Sequence, residues 1–217
     1  MGLLSHVSVI GQSYSGRKPG FRRHSGLGAA AITLIVLVGL LVMGGLWVAG
    51  GYNNLVQLDT QTESRASNID SQLKRRADLI PNLVATVKGY AKHERGVYAD
   101  IAQARSRLLS SNVQADPKGA AAANNAFNSS LGRLMAIAEN YPQLKADQNF
   151  IRLQDELTGT ENRINVARVE YNEAVQGYNT AVRVFPGNVV AGVTGFHPRT
   201  FFEASAAEKA TPTVDFE

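Results

Sequence analysis

An all-α fold is predicted: an N-terminal transmembrane helix followed by an antiparallel bundle of long helices. Three observations lead there. Residues 25–58 carry no charged side chain. Further on, apolar residues recur at steps of three and four, which places them along one face of a helix. Short runs alternating between apolar and polar residues, the signature of strands, are nearly absent.

The membrane element comes first. Leu27 to Ala49 reads LGAAAITLIVLVGLLVMGGLWVA, an uninterrupted apolar run. As a helix rising about 1.5 Å per residue it extends roughly 34 Å, enough for a hydrocarbon core of about 30 Å. Trp47 and Tyr52 stand near its C-terminal end, where amphipathic rings favour the interface. A cleaved signal peptide has a shorter apolar core, and Val48-Ala49-Gly50 is a poor cleavage site. The run is therefore read as an anchor over residues 25–50. Gly45 and Ala49 form a small-xxx-small pair that would let helices approach.

Residues 1–24 are Gly, Ser and basic residues without periodicity, read as a disordered tail. They hold Arg17, Lys18, Arg22 and Arg23 and no acid. The chain has 22 basic and 18 acidic residues, so the net charge of +4 belongs to this tail and the remainder is formally neutral. Basic residues before the span place the N-terminus in the cytoplasm and the rest outside it, in a single-pass plasma (inner) membrane protein. A nucleic-acid binder would carry its excess charge on the folded part, so nucleic acid is not an expected partner. With no cysteine, a disulfide framework, a thiolate metal site and a cysteine nucleophile are excluded.

Residues 51–185 are read as the bundle. Leu55, Leu58, Thr62, Ala66, Ile69, Leu73 and Ala77 make the first stripe. It resumes at Ile80, Leu83, Val84, Val87, Tyr90, Val97, Ile101, Ala104 and Leu108. Proline removes a backbone donor and clashes with the preceding turn, so the first long helix is expected to kink or break briefly near Pro81, at 78–81, with Asp78 able to cap the helical segment beyond it. Gly50-Gly51 could join span and bundle flexibly, or the helix could run straight through. Ser110 to Asp116 reads as a loop, and Asp116-Pro117 as a helix start, a capping acid before a proline in the first turn. A second stripe runs from Ala120 through Phe127 and Leu134 to Tyr141, where Pro142 comes next. The last begins at Ala146 and continues through Phe150, Leu157, Ile164, Tyr171 and Tyr178 to Phe185, where Pro186 ends it. Such stripes bury each other in left-handed, coiled-coil-like packing.

Residues 186–217 lose the periodicity but stay apolar, and are read as a tail packed on the bundle, with helical turns near 188–193 and 198–204. Either it caps the bundle end or it offers a docking surface, for which Phe196, Phe201 and Phe202 are the candidates.

A search for chemistry finds little. A zinc-protease helix needs two His one turn apart with Glu between, but His93-Glu94 is followed by no second His. The other histidines are His6, His24 and His197. Asp155 and Glu156 are adjacent on a helix and point apart. No catalytic residue, cofactor or metal site is predicted. Lys74, Arg75 and Arg76 form a basic triplet, read either as a surface for anionic headgroups or as a solvated face paired with nearby acids. In a helix running straight out from Ala49, Lys74 lies about 38 Å from the membrane. That is several Debye lengths of about 8 Å, which favours the solvated face unless the bundle lies flat.

The segment YNNLVQLDTQTESRASNIDSQLKRRADLIPNLVATVKGYAKHE, residues 52–94, resembles the LemA family of bacterial membrane proteins. The likeness extends to Tyr171-Asn172, Tyr178-Asn179, Phe185-Pro186, the FHPRTFFEA stretch from Phe196 and Val214-Asp215-Phe216. The resemblance implies one N-terminal membrane helix and an extracytoplasmic bundle, and supplies no catalytic residue. Some family genes adjoin those of membrane metalloproteases, which points to envelope quality control. The expected function is an envelope scaffold or adaptor acting through protein–protein contact and self-assembly, with the lipid bilayer, further copies of the chain and other envelope proteins as partners. The alternative is a peptide- or lipid-binding module assisting a membrane protease.

Overall fold

The computed structural model describes residues 26–203. The basic residues of the N-terminal tail, His6, His24 and Val214-Asp215-Phe216 lie outside the described residues. Among those described there are six helices and no strand. They are α1 (Gly26–Tyr90), α2 (Arg95–Ser110), α3 (Pro117–Glu139), α4 (Pro142–Lys145), α5 (Gln148–Arg183) and α6 (Gly187–Thr194). The chain divides into two units, residues 1–46 and 47–217.

In the first unit, every side chain described from residue 28 to 46 is exposed, large apolar ones included: Leu41 is 76% and Leu46 71% exposed. The helix is long and apolar enough to cross a membrane, and Leu27 lies within it.

The second unit begins at Trp47. Its α1 portion does not break at Gly50-Gly51. Gly51 has a packing role instead: a Cβ there would stand 3.0 Å from Cγ2 of Val190 in α6. The helix also runs through Pro81 without the expected short break. Proline leaves the carbonyl four residues earlier without a helical donor. That carbonyl is Ala77, and Nε of Arg105 in α2 donates to it at 2.9 Å. Asp78 therefore begins no helix and stands 3.9 Å from Arg105.

The chain turns instead at residues 91–94. Tyr98 closes the corner, its hydroxyl donating to the Ala91 carbonyl at 2.5 Å. Seven residues separate Tyr90 from Val97, so the stripe keeps its phase across the turn and hides it. The buried residues here are Ala91 and Tyr98, one position later than expected. The starts of α3 and α5 obey the capping logic. Asp116 accepts from Gly119 N, and Asp147 accepts from Asn149 N and Phe150 N.

Polar pairs set the course of α1 against α5. Arg65 meets Glu170, Gln72 meets Arg163, Arg76 meets Glu161 and Tyr90 meets Asp147. Residue numbers rise along one helix as they fall along the other. A main core gathers Ile69, Leu73, Leu83, Ile101, Phe127, Leu134, Phe150, Ile164 and Tyr171, among others. Burying one such Leu, Ile or Phe side chain stabilises by about 1.5–3 kcal/mol. A smaller core joins Leu55, Tyr178, Val182, Val190 and Ala191.

Candidate functional site

Beyond α6 the chain is extended, and residues 198–203 form none of the helix expected there. This strap is held by two residues of α5. The side-chain amide of Asn179 donates to the Arg199 carbonyl at 2.9 Å and accepts from the Arg199 N–H at 2.7 Å. Asn172 does the same for Phe202, donating to its carbonyl at 3.0 Å and accepting from its N–H at 2.9 Å. The spacing explains the match. Seven residues of helix rise about 10.5 Å, and three residues of extended chain span about 10 Å. A heptad on α5 thus meets every third peptide of the strap. Between the two amides, the Tyr171 hydroxyl donates to the Thr200 carbonyl at 2.9 Å.

Two strap side chains are also read. Arg199 reaches α1, with Nε on Asp59 at 2.6 Å and its second nitrogen on Glu63 at 2.9 Å. Its guanidinium lies 5.9 Å from the centre of the Tyr178 ring. The hydrogen bond that Arg199 donates to Asp59 is the largest influence holding the Arg199 pKa above its ordinary value, with burial opposing it. Phe202 is 2% exposed and enters the main core. The Tyr171 phenol is pushed above its usual pKa by burial, which keeps it a neutral donor. The arrangement grips a peptide main chain and adds one cationic and one aromatic anchor.

The residues singled out from sequence are not brought together. Lys74 and Arg75 are exposed, and Arg75 faces Glu156 at 3.6 Å. Arg76 is 3% exposed and so is no surface residue. It turns inward onto Glu161, hydrogen-bonds Asn124 at 3.0 Å and lies 4.9 Å from the Phe127 ring centre. Burial pushes its pKa down, and Glu161 opposes that. Phe202 is likewise core. Phe196 is half-buried between Tyr52 and Tyr178, and of the three phenylalanines Phe201 is exposed, at 42%. Trp47 and Ala49 are exposed. His93 is exposed too, but in the turn between α1 and α2, not on a helix face. Among the described residues no three His, Cys, Asp or Glu side chains are grouped to hold a metal ion.

Asp59, Glu63, Asn172, Asn179 and Arg199 were not singled out from sequence as site residues, although Asn172, Asn179 and Arg199 fall within the stretches that carry the family likeness. Two signals pointed to them. The Tyr-Asn step repeats after seven residues, and Arg199 is the only Lys, Arg, Asp or Glu between Arg183 and Glu203.

One apolar helix leading into a bundle of long helices, closed by a clamped extended segment, defines a class of membrane-type helical bundle proteins. Comparison with known proteins narrows the class. The chain belongs to the LemA family, whose model matches residues 65–216. It is similar to the magnetosome proteins MamQ 1 and MamQ 2 of Paramagnetospirillum magneticum, 26% identical over 180 residues, 72% of this chain and 66% of each of those proteins. Magnetosome protein MamQ of Magnetospirillum gryphiswaldense is 25% identical over 229 residues, covering 94% of this chain and 81% of that protein. Protein LemA of Metamycoplasma hominis is 26% identical over 160 residues, covering 74% and 72%. The chain thus spans just under two thirds of the two Paramagnetospirillum proteins.

Proposed function

We propose that this LemA-family protein is a membrane-anchored scaffold or adaptor of the cell envelope. Its apolar N-terminal helix spans the plasma membrane with the basic tail in the cytoplasm, and its bundle works outside through protein–protein contacts. The strap carries this reading. The α1–α5 pair holds a linear segment of its own chain by the main chain, with Arg199 and Phe202 as anchors, and an extended segment of another chain offering the same groups would meet the same contacts. A strap given in trans to a neighbouring copy would link copies without any new surface.

The test is site-directed crosslinking in native membranes. The sequence has no cysteine, so a Phe201→Cys and Ser67→Cys pair can be placed freely on strap and bundle. Bonds between copies, or reproducible adducts to other envelope proteins, support the scaffold. A solitary monomer at native expression would sink it.

The clamp supports a second reading, a peptide-holding module that assists a membrane protease when its own strap is displaced. A synthetic peptide of residues 196–203 binding an Asn172→Ala/Asn179→Ala protein as well as it binds the parent would argue against that.

A further inference from the structure

We propose that the end of the second unit formed by Trp47, Tyr52, Phe185 and α6 rests in the lipid interface, with Phe185, Val189 and Val193 inserted at the boundary between headgroups and acyl chains. The occupant is the bilayer surface itself.

Two uncharged segments from opposite ends of the unit meet here. Residues 47–58 contain no Asp, Glu, Lys or Arg, and neither do residues 184–196. Their contacts are direct. The Trp47 and Phe185 rings lie 5.7 Å apart and those of Tyr52 and Phe196 5.9 Å apart. Val190 packs where a Gly51 side chain would stand. One face of α6 is thereby used: Val190 and Ala191 are buried in the smaller core. The opposite face is bare. Phe185 is 70%, Val189 48% and Val193 82% exposed, and these residues recur every four positions.

The pattern selects lipid over water and over a polar partner. An uncharged face flanked by apolar residues has nothing to offer a charged surface. Charge resumes one level further from this end, at Asp59, Arg183 and Arg199. The exposed apolar surface is continuous with Trp47 and Val48, the closing residues of the run read as the membrane span, and Trp47 and Tyr52 are the ring types that collect at membrane interfaces. A short amphipathic helix seats its apolar face a few ångströms into the boundary, and here the neighbouring span supplies the anchoring, so α6 has no need of the basic residues that free interfacial helices use. The inference rests on reading residues 27–49 as a span.

Single cysteines carrying a polarity-sensitive fluorophore test it in the full chain, reconstituted in phosphatidylcholine–phosphatidylglycerol vesicles doped, in parallel sets, with lipids bearing a nitroxide at a shallow acyl position, to read residues 189 and 193, or near the acyl chain end, to read residue 38. Val193→Cys and Val189→Cys face outward and leave both cores intact. Val38→Cys reports the span. Lys92→Cys stands in the turn beyond α1, whose end at Tyr90 lies about 65 Å from Trp47 along the helix. The expected result is a loss of roughly half the emission at 189 and 193 with a blue shift, as for interfacial residues, and no loss at 92. A quenched Val38→Cys beside an unquenched, water-like Val193→Cys overturns the interfacial seat while leaving the span in place. No quenching at Val38→Cys overturns the span and this inference with it. Val193→Cys disulfide dimers that persist as the protein is diluted in lipid also overturn it, by assigning the face to a second copy.

Discussion

A proline removes one donor from a helix, so the cost at Pro81 falls on a single carbonyl, that of Ala77. Arg105 answers it from another helix. Replacing Arg105 with Ala should therefore destabilise the bundle by about 1–3 kcal/mol, the cost of a buried carbonyl left without a partner. In a Pro81→Ala background the helix supplies its own donor, and the same replacement should cost much less. Denaturant titration of the four proteins closes the cycle, and equal costs in both backgrounds would refute the pairing. Arg76 presents the opposite case, a charge taken into the core. It holds Glu161 and Asn124 and covers Phe127. Removing one partner of such a pair costs about 3–5 kcal/mol when both are buried. Glu161 is 24% exposed, which puts Arg76→Ala toward the lower end. A loss below about 1 kcal/mol, the level of a surface pair, would show that the network contributes nothing to stability.

Among the helices, α5 does the most varied work. Its Asn172 and Asn179 each exchange two hydrogen bonds with the strap. Asn172→Ala or Asn179→Ala should cost about 1–3 kcal/mol and expose residues 196–203 to protease before the helices melt. Limited proteolysis read by mass spectrometry measures this directly. Its N-terminus is set by Asp147, whose pKa is held below the ordinary carboxylate range chiefly by the Phe150 N–H, with help from the Tyr90 hydroxyl. A depressed acid contributes stability that is present above the unfolded pKa of about 3.9 and is lost as pH falls through the lower folded value. Asp147→Asn keeps the cap but cannot titrate. Its melting temperature should lie below the parent's at neutral pH, fall less steeply below pH 4 and converge with the parent's there. The stripes that announced these helices were legible because burial leaves a period of three to four residues in sequence. The turn at 91–94 was not, because Tyr90 and Val97 stay one heptad apart through it. At Pro81 no break occurs, and the donor that answers Ala77 could not be read locally because it lies on a different helix. The strap was illegible as structure because its hydrogen bonds come from side chains 20 and 30 residues away.

Taken together, the second unit is closed by residues far apart in sequence. Phe202 completes the main core and Val190 and Ala191 the smaller one. Ending the chain after Phe185 should thus lower the melting temperature and broaden the transition, not merely remove an appendage. A milder pair separates packing from length. Phe202→Ala should cost about 3–5 kcal/mol, and Phe201→Ala, half in solvent, well under that. Calorimetry on both would contradict this account if the two costs were equal. Of this site the sequence showed Phe202 and Phe196 as apolar and the Tyr-Asn steps as recurring, but gave no sign of which side chains faced one another.

The strap also has mechanical properties. It lies along α5 with its numbering opposed to that of the helix, fastened at two places about 10 Å apart. A force on it directed along the α5 axis loads both asparagine fastenings and the Arg199 link together, as in a lap joint. A force directed away from the bundle loads them one after another, as in peeling tape, starting at Phe202 if the pull comes from the C-terminal side. The same four hydrogen bonds therefore resist one direction of pull and yield to the other.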